Sequence, residues 1–193
     1  MTAPLSALDD PGWRPLPPDA ARLLRDLGAP PRLAAHLRVV HDAACELLAW
    51  TAARYPAAEV DADAVAFGAA VHDIGKVLYP AELSSPGNEH EPAGERLLRD
   101  RGVDARLARF ARTHAAWDDD GLALDDLLVA LADKVWKAKR VPDLERRVVT
   151  VLSAASGEPE WETFLALDDA LTRIAGDADA RLAFQSAYPV GHS

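Results

Sequence analysis

The sequence has few cysteines, few lysines, a deficit of basic charge and no long apolar run. Its one cysteine, Cys45, cannot form an internal disulfide, so nothing in the chain calls for an oxidising compartment. The 21 Lys and Arg residues are outnumbered by 31 Asp and Glu, a formal charge of -10. That balance argues against a nucleic-acid partner, because sequence-independent affinity for phosphate backbones needs clustered positive charge. No stretch approaches about eighteen uninterrupted apolar residues, and the start of the chain has no basic cluster ahead of an apolar core. No membrane association is expected, and the expected location is cytoplasmic. What is present is 193 residues, 49% of them hydrophobic, enough for a single domain over 1–193 with a well-buried core.

Apolar residues recur at helical spacing and nowhere alternate convincingly over strand length, so the expected fold class is all-α. Five of the fourteen prolines fall in the first eighteen residues, which read as an irregular arm packed down by Trp13 and Leu16. Helices are expected over about 19–27, 32–53, 61–73, 90–101, 104–117, 122–139, 142–155, 159–175 and 177–187. Proline, glycine and aspartate clusters separate them, and 79–88 reads as a loop.

Within that pattern several polar residues stand where apolar ones belong. His72-Asp73 follows the uncharged run Ala64 to Val71, where an unpaired carboxylate is costly. His114 shares a stripe with Leu107, Phe110 and Trp117, and His36 shares one with Leu33, Val40, Ala44 and Leu47. Asp133 sits in a helix apolar on both sides, opposite the leucine stripe and alongside Val129, Ala130 and Trp136. His90 opens a helix in which Ala93 and Gly94 would let another backbone approach closely. Taken singly, each has a plainer reading: a helix end capped by His72, a satisfied core histidine, an exposed residue at a helix start, a buried salt bridge from Asp133 to an arginine. Taken together, four histidines and two aspartates would suit two divalent metals.

In that order, a helical His, then His72-Asp73-Ile74-Gly75-Lys76, then His90 and His114, then Asp133, the chain resembles the HD superfamily of metal-dependent phosphohydrolases. Thr113-His114, with Ala132-Asp133-Lys134 nineteen residues on and then Arg140, is similar to the bacterial diadenosine tetraphosphate hydrolase branch. The resemblance implies a helical bundle with a metal-binding core at 31–140, preceded by an arm and short helix at 1–30 and followed by C-terminal helices at 141–193. It also implies metal ligation by His36, His72, Asp73, His90, His114 and Asp133, with Asp73 bridging. The expected cofactors are two divalent transition metals, iron or manganese favoured over cobalt, nickel or zinc.

The implied reaction is attack on phosphorus by a hydroxide bridging the two metals, with Asp73 and Lys76 as catalytic residues and Lys76, Lys134 and Arg140 contacting a small phosphorylated substrate. The chain's only lysines, Lys76, Lys134, Lys137 and Lys139, all follow closely after the two motif aspartates, where compact point charges suit phosphate. For Lys137 and Lys139 the solvated end of a helix is the preferred account. His41 is the alternative first ligand, 31 residues ahead of His72, whereas His36 has the His-x-x-x-Val pattern. No Gly-Tyr-Pro follows the His-Asp segment, which counts against a cyclic dinucleotide substrate. Two other readings use the same features: a mixed-valent diiron oxygenase of the superfamily, acting on a polyol or phosphonate, and a non-catalytic regulatory module. Trp161, Phe164, Leu165, Leu167, Leu171 and Ile174 form an apolar face expected to cover the core or to make a homodimer contact. His192 is expected to be a disordered bystander.

Overall fold

The computed structural model describes residues 5–191, so the first four residues of the arm and His192 lie outside it. The described residues form α1 (Ser6–Asp9), α2 (Pro18–Asp26), α3 (Pro31–Arg54), α4 (Ala62–Val71), α5 (His90–Asp100), α6 (Ala105–Ala108), α7 (Phe110–Thr113), α8 (Leu124–Val135), α9 (Pro142–Ser156), α10 (Glu160–Ala175) and α11 (Ala178–Ser186). Short 3-10 turns lie at Ile74–Val77 and Pro80–Leu83, and there is no strand among the described residues. The fold is an all-α bundle.

α3 is the central strut. Pro31 occupies its first turn, where the missing N–H costs nothing, and every residue from Leu33 to Ala44 is buried. It packs against α1, α4, α8, α10 and α11. One core, with Val39, Leu47, Leu128, Leu131, Leu152 and Leu171, joins it to α8, α9 and α10. A second, with Leu8, Leu24, Leu33, Val71, Ile74 and Leu98, joins it to the N-terminal elements and α5. The two cores meet along α3 and α4, the helices that carry His36 and lead into His72-Asp73.

The arm is more regular than its prolines suggest. Arg38, buried on α3, donates to the carbonyls of Ala7, Asp10, Trp13 and Arg14, so one guanidinium satisfies four backbone acceptors and fixes a helical turn at Ser6–Asp9. Asp61 caps α4 by accepting from the Ala64 N–H at 3.0 Å.

Two expected helices are shorter than their periodicity. The run expected over 104–117 is interrupted at Arg109 and ends at His114. α8 stops at Val135 instead of continuing to 139, because Ala138 takes a left-handed conformation (φ 58) and the Lys139 N–H folds back to the Lys134 carbonyl at 3.1 Å. The C-terminal apolar face divides. Leu167, Leu171 and Ile174 are buried in the core, whereas Trp161, Phe164 and Leu165 are exposed. A buried network also ties α7 to α8: Asp126 accepts from the Arg109 guanidinium and from the Thr113 hydroxyl at 2.8 Å, one residue before His114 and seven before Asp133.

Candidate metal centre

α4 ends at Val71, and the chain then passes His72 and Asp73 into the tight turn Ile74–Val77. The pair is thereby delivered off a helix end into the interior, with His72 0% and Asp73 3% exposed. Around it the fold brings His36 from α3, His90 from the first position of α5, His114 from the end of α7 and Asp133 from α8.

Asp73 stands between two groups of imidazoles. Its Oδ2 lies 3.2 Å from His36 Nε2 and 3.7 Å from His72 Nε2. Its Oδ1 lies 2.9 Å from His90 Nε2 and 3.5 Å from His114 Nε2. Asp133 Oδ1 completes the first group, 3.7 Å from His36 Nε2 and 3.5 Å from His72 Nε2. One half is therefore His36, His72, Asp133 and Asp73 Oδ2, and the other is His90, His114 and Asp73 Oδ1.

The rings are turned so that Nε2 faces inward. His72 Nδ1 lies 2.9 Å from the Ala69 carbonyl and His114 Nδ1 lies 3.1 Å from the Phe110 carbonyl. A carbonyl only accepts, so each Nδ1 carries the proton and each Nε2 presents a lone pair. His36 Nε2 and His72 Nε2 are buried with no hydrogen-bond partner among the described residues, an arrangement that otherwise costs about 1–3 kcal/mol per group. Divalent metal ions with borderline affinity for imidazole and carboxylate fit this donor set and offset that cost.

The electrostatics agree. Burial by itself would raise Asp73, but the imidazoles of His72, His114, His36 and His90 that face it hold it well below the ordinary carboxylate range. Burial likewise opposes ionisation of Asp133, and the His72 imidazole with the charge of Lys134 outweighs it and lowers this carboxyl too. Both acids stay ionised at neutral pH and available to a cation.

The HD domain family model matches residues 20–138, from α2 through the turn that ends α8 and more than half of the chain. The chain belongs to the HD domain family. That family consists largely of metal-dependent hydrolases. No curated protein and no solved structure matches the chain.

Within the HD domain the two candidate first ligands separate. His36 faces His72 and Asp73, its ring also edge-on to Trp136 at 5.1 Å. His41 is buried elsewhere, with its Nε2 3.5 Å from Cys45 Sγ, and burial pushes its pKa down to about 4. Because its folded pKa is depressed, His41 contributes stability that is full above about pH 6.5 and is lost as pH falls toward about 4. His41→Leu is accordingly expected to lose about 3 kcal/mol less stability than the parent protein between pH 7 and pH 4. Urea denaturation in chelator measures this. The same variant is expected to keep its metal content and His36→Ala to lose metal; the opposite result would make His41 the ligand.

The three expected substrate contacts differ in placement. Lys76 Nζ is 2.5 Å from Asp73 Oδ2 and Lys134 Nζ is 2.7 Å from Asp133 Oδ2, both side chains 18% exposed. Arg140 lies farther along, in the turn after α8. Its guanidinium is committed to Glu145 in a two-point contact at 2.9 and 2.8 Å and to Asp168 at 2.6 Å, bracing the turn after α8 against α9 and α10.

Gly75 explains how α5 comes close enough to deliver His90. A Cβ on Gly75 would stand 1.9 Å from the His90 carbonyl oxygen and 2.8 Å from the Gly94 nitrogen, so backbone lies directly on backbone there. The close approach expected of Ala93-Gly94 is thus made to Gly75. Glu82 is the residue that sequence reasoning missed. Its carboxylate lies 2.5 Å from the His90 ring Nδ1 and accepts from the backbone N–H groups of Glu89 and His90. No periodic or spacing signal marks it, because a carboxylate in a loop eight residues ahead of a histidine has no fixed geometry until the loop folds.

Proposed function

We propose that the protein is a metal-dependent phosphohydrolase acting on a small phosphate ester or nucleotide-type substrate. The observation that carries this reading is the placement of Asp73, whose two oxygens face two separate sets of imidazole Nε2 atoms. The proposed ligands are His36, His72, Asp73 and Asp133 for one divalent ion and Asp73, His90 and His114 for a second, with iron or manganese favoured. Two such ions would supply Lewis acidity and a nucleophilic water at neutral pH.

The chain's own residues supply the rest. The Ala69 and Phe110 carbonyls hold two rings in the tautomer that leaves Nε2 free. Lys76, largely withdrawn from water, binds a non-bridging phosphoryl oxygen and stabilises the charge that grows on it during transfer. Lys134 adds a second compact cation beside the other motif aspartate. Together they give an acidic protein a locally positive seat for one phosphoryl group.

Metal analysis of the purified protein and a phosphatase panel headed by diadenosine tetraphosphate, nucleotides and p-nitrophenyl phosphate test the proposal. The expected result is phosphate or nucleotide release that stops with chelator and returns with manganese or iron. Oxygen uptake with a polyol or phosphonate, and no phosphate-ester hydrolysis, would replace the hydrolase reading by the oxygenase one.

A further inference from the structure

Among the described residues, His90 is the one imidazole of the centre with a carboxylate at each ring nitrogen. Its Nε2 lies 2.9 Å from Asp73 Oδ1 and its Nδ1 lies 2.5 Å from Glu82 Oε2. A neutral imidazole has a single N–H, so the two acids compete for it, and the winner decides which nitrogen offers a lone pair. If the proton sits on Nε2, the ring points a donor at Asp73 and cannot ligate there. If it sits on Nδ1, Nε2 is free. The carbonyl partners that settle this for His72 and His114 have no counterpart at His90, where only a side chain does the work.

We infer that Glu82 is a positioning residue that selects the Nδ1–H form of His90 and so makes the Asp73 Oδ1 half of the centre competent to bind metal. This rests on the binuclear reading above and extends it to a residue outside the ligand set. Three observations support it. Glu82 Oε2 is closer to the ring than Asp73 Oδ1 is, and its side chain is only 10% exposed, so water competes little for the contact. The same carboxylate accepts from the Glu89 and His90 backbone N–H groups, which pins it at the start of α5 instead of leaving it one of many rotamers. Gly87 leaves room for it: a Cβ there would stand 2.4 Å from the Glu82 carboxyl carbon. Glu91 is the other acid facing this nitrogen, but its Oε2 is 3.5 Å away and makes no hydrogen bond. The loop 79–89 is thereby linked to the His90 side of the centre.

The test uses the full chain and Mn²⁺ or Zn²⁺ alone. In wild type, Glu82→Ala, Glu82→Gln and Glu91→Gln, metal titration by calorimetry reads the two binding steps, and ¹⁵N NMR of the metal-free protein at pH 8.5 reads the His90 tautomer. Glu82→Ala is expected to move the His90 proton to Nε2, where Asp73 is the remaining acceptor, and to weaken one binding step by about 10–100-fold while leaving the other within about twofold. Glu82→Gln, which keeps a carbonyl acceptor, should fall between, and Glu91→Gln should match wild type. A Glu82→Ala protein whose His90 keeps the proton on Nδ1, or whose two binding steps weaken together or not at all, overturns the inference. Should Glu82→Ala fail to fold, Gly87→Ala displaces the same carboxylate and is expected to shift the same proton; an unchanged tautomer would count against the inference equally. Wild-type protein that takes up no metal would defeat the binuclear reading, while the tautomer measurement would still decide the role of Glu82.

Discussion

Asp73→Ala is expected to release no more phosphate than the buffer blank, a loss of more than about 10³-fold, and to lose both metal-binding steps together. The reason is geometric. Oδ2 belongs to the His36 and His72 side and Oδ1 to the His90 and His114 side, so one side chain serves both halves. Asp133→Ala removes an oxygen that faces only His36 and His72, and it is expected to spare the other binding step.

The metal-free Asp73→Ala protein should also show a pH signature. Burial lowers the pKa of His90, but its contact with Asp73, reinforced by that with Glu82, outweighs this and raises it. A raised folded pKa means that this pairing contributes fully below about pH 6.5 and fades as pH rises through the folded value. Removing the carboxylate should therefore destabilise the protein more at pH 5.5, where the His90 cation keeps Glu82 as its one remaining carboxylate contact, than at pH 8.5. Chemical denaturation in chelator at the two pH values measures this. A variant that keeps two metals per chain and hydrolyses nucleotides as fast as wild type would remove Asp73 from the centre.

Gly75→Ala carries the second large effect, and it does not depend on any chemistry of the ligands. The added methyl meets the His90 carbonyl and the Gly94 nitrogen, both main-chain atoms of α5, and neither can swing aside as a side chain can. The turn Ile74–Val77 and α5 must separate, at a cost of about 3 kcal/mol or a fall of about 6–12 °C in Tm. Because Asp73 lies on one side of this contact and His90 on the other, the variant should also lose the binding step shared by His90 and His114 while keeping the His36 and His72 step. Gly94→Ala meets the Ala111 methyl and the Gly75 nitrogen at 3.1 Å, a tight contact that small shifts relieve, and about 1 kcal/mol is expected. Thermal melts in chelator with metal titrations compare the two. Equal tolerance of alanine at both positions would show that the backbone contact does not hold α5 in place.

Much of this was legible in one dimension. The 3.6-residue period makes the chain helical. Polar residues inside apolar stripes single out His36, His114 and Asp133, and the apolar run ahead of His72-Asp73 requires something to compensate a buried acid. These signals survive in sequence because each depends on a residue's immediate helical neighbours. The limits of the helices were less legible. The turn that closes α8 passes through a left-handed alanine, Ala138, a position for which glycine or asparagine is the usual sign, so the periodicity runs on beyond the helix itself.

Tertiary structure alone decided the rest. His36 and His41 stand five residues apart, about 140° around the helix, and both are buried because α3 is enclosed on all sides from Leu33 to Ala44. Periodicity identifies a buried face only where another face is wet, so on such a helix it cannot say which histidine meets His72. The same limit applies to Arg140, whose carboxylate partners include Asp168 on α10, and to Glu82, whose contact with His90 exists only once the loop closes. Helical periodicity marks which polar residues must be buried and need partners; the packing of helices distant in sequence decides which partners they have, and so divides Asp73 between two sets of histidines.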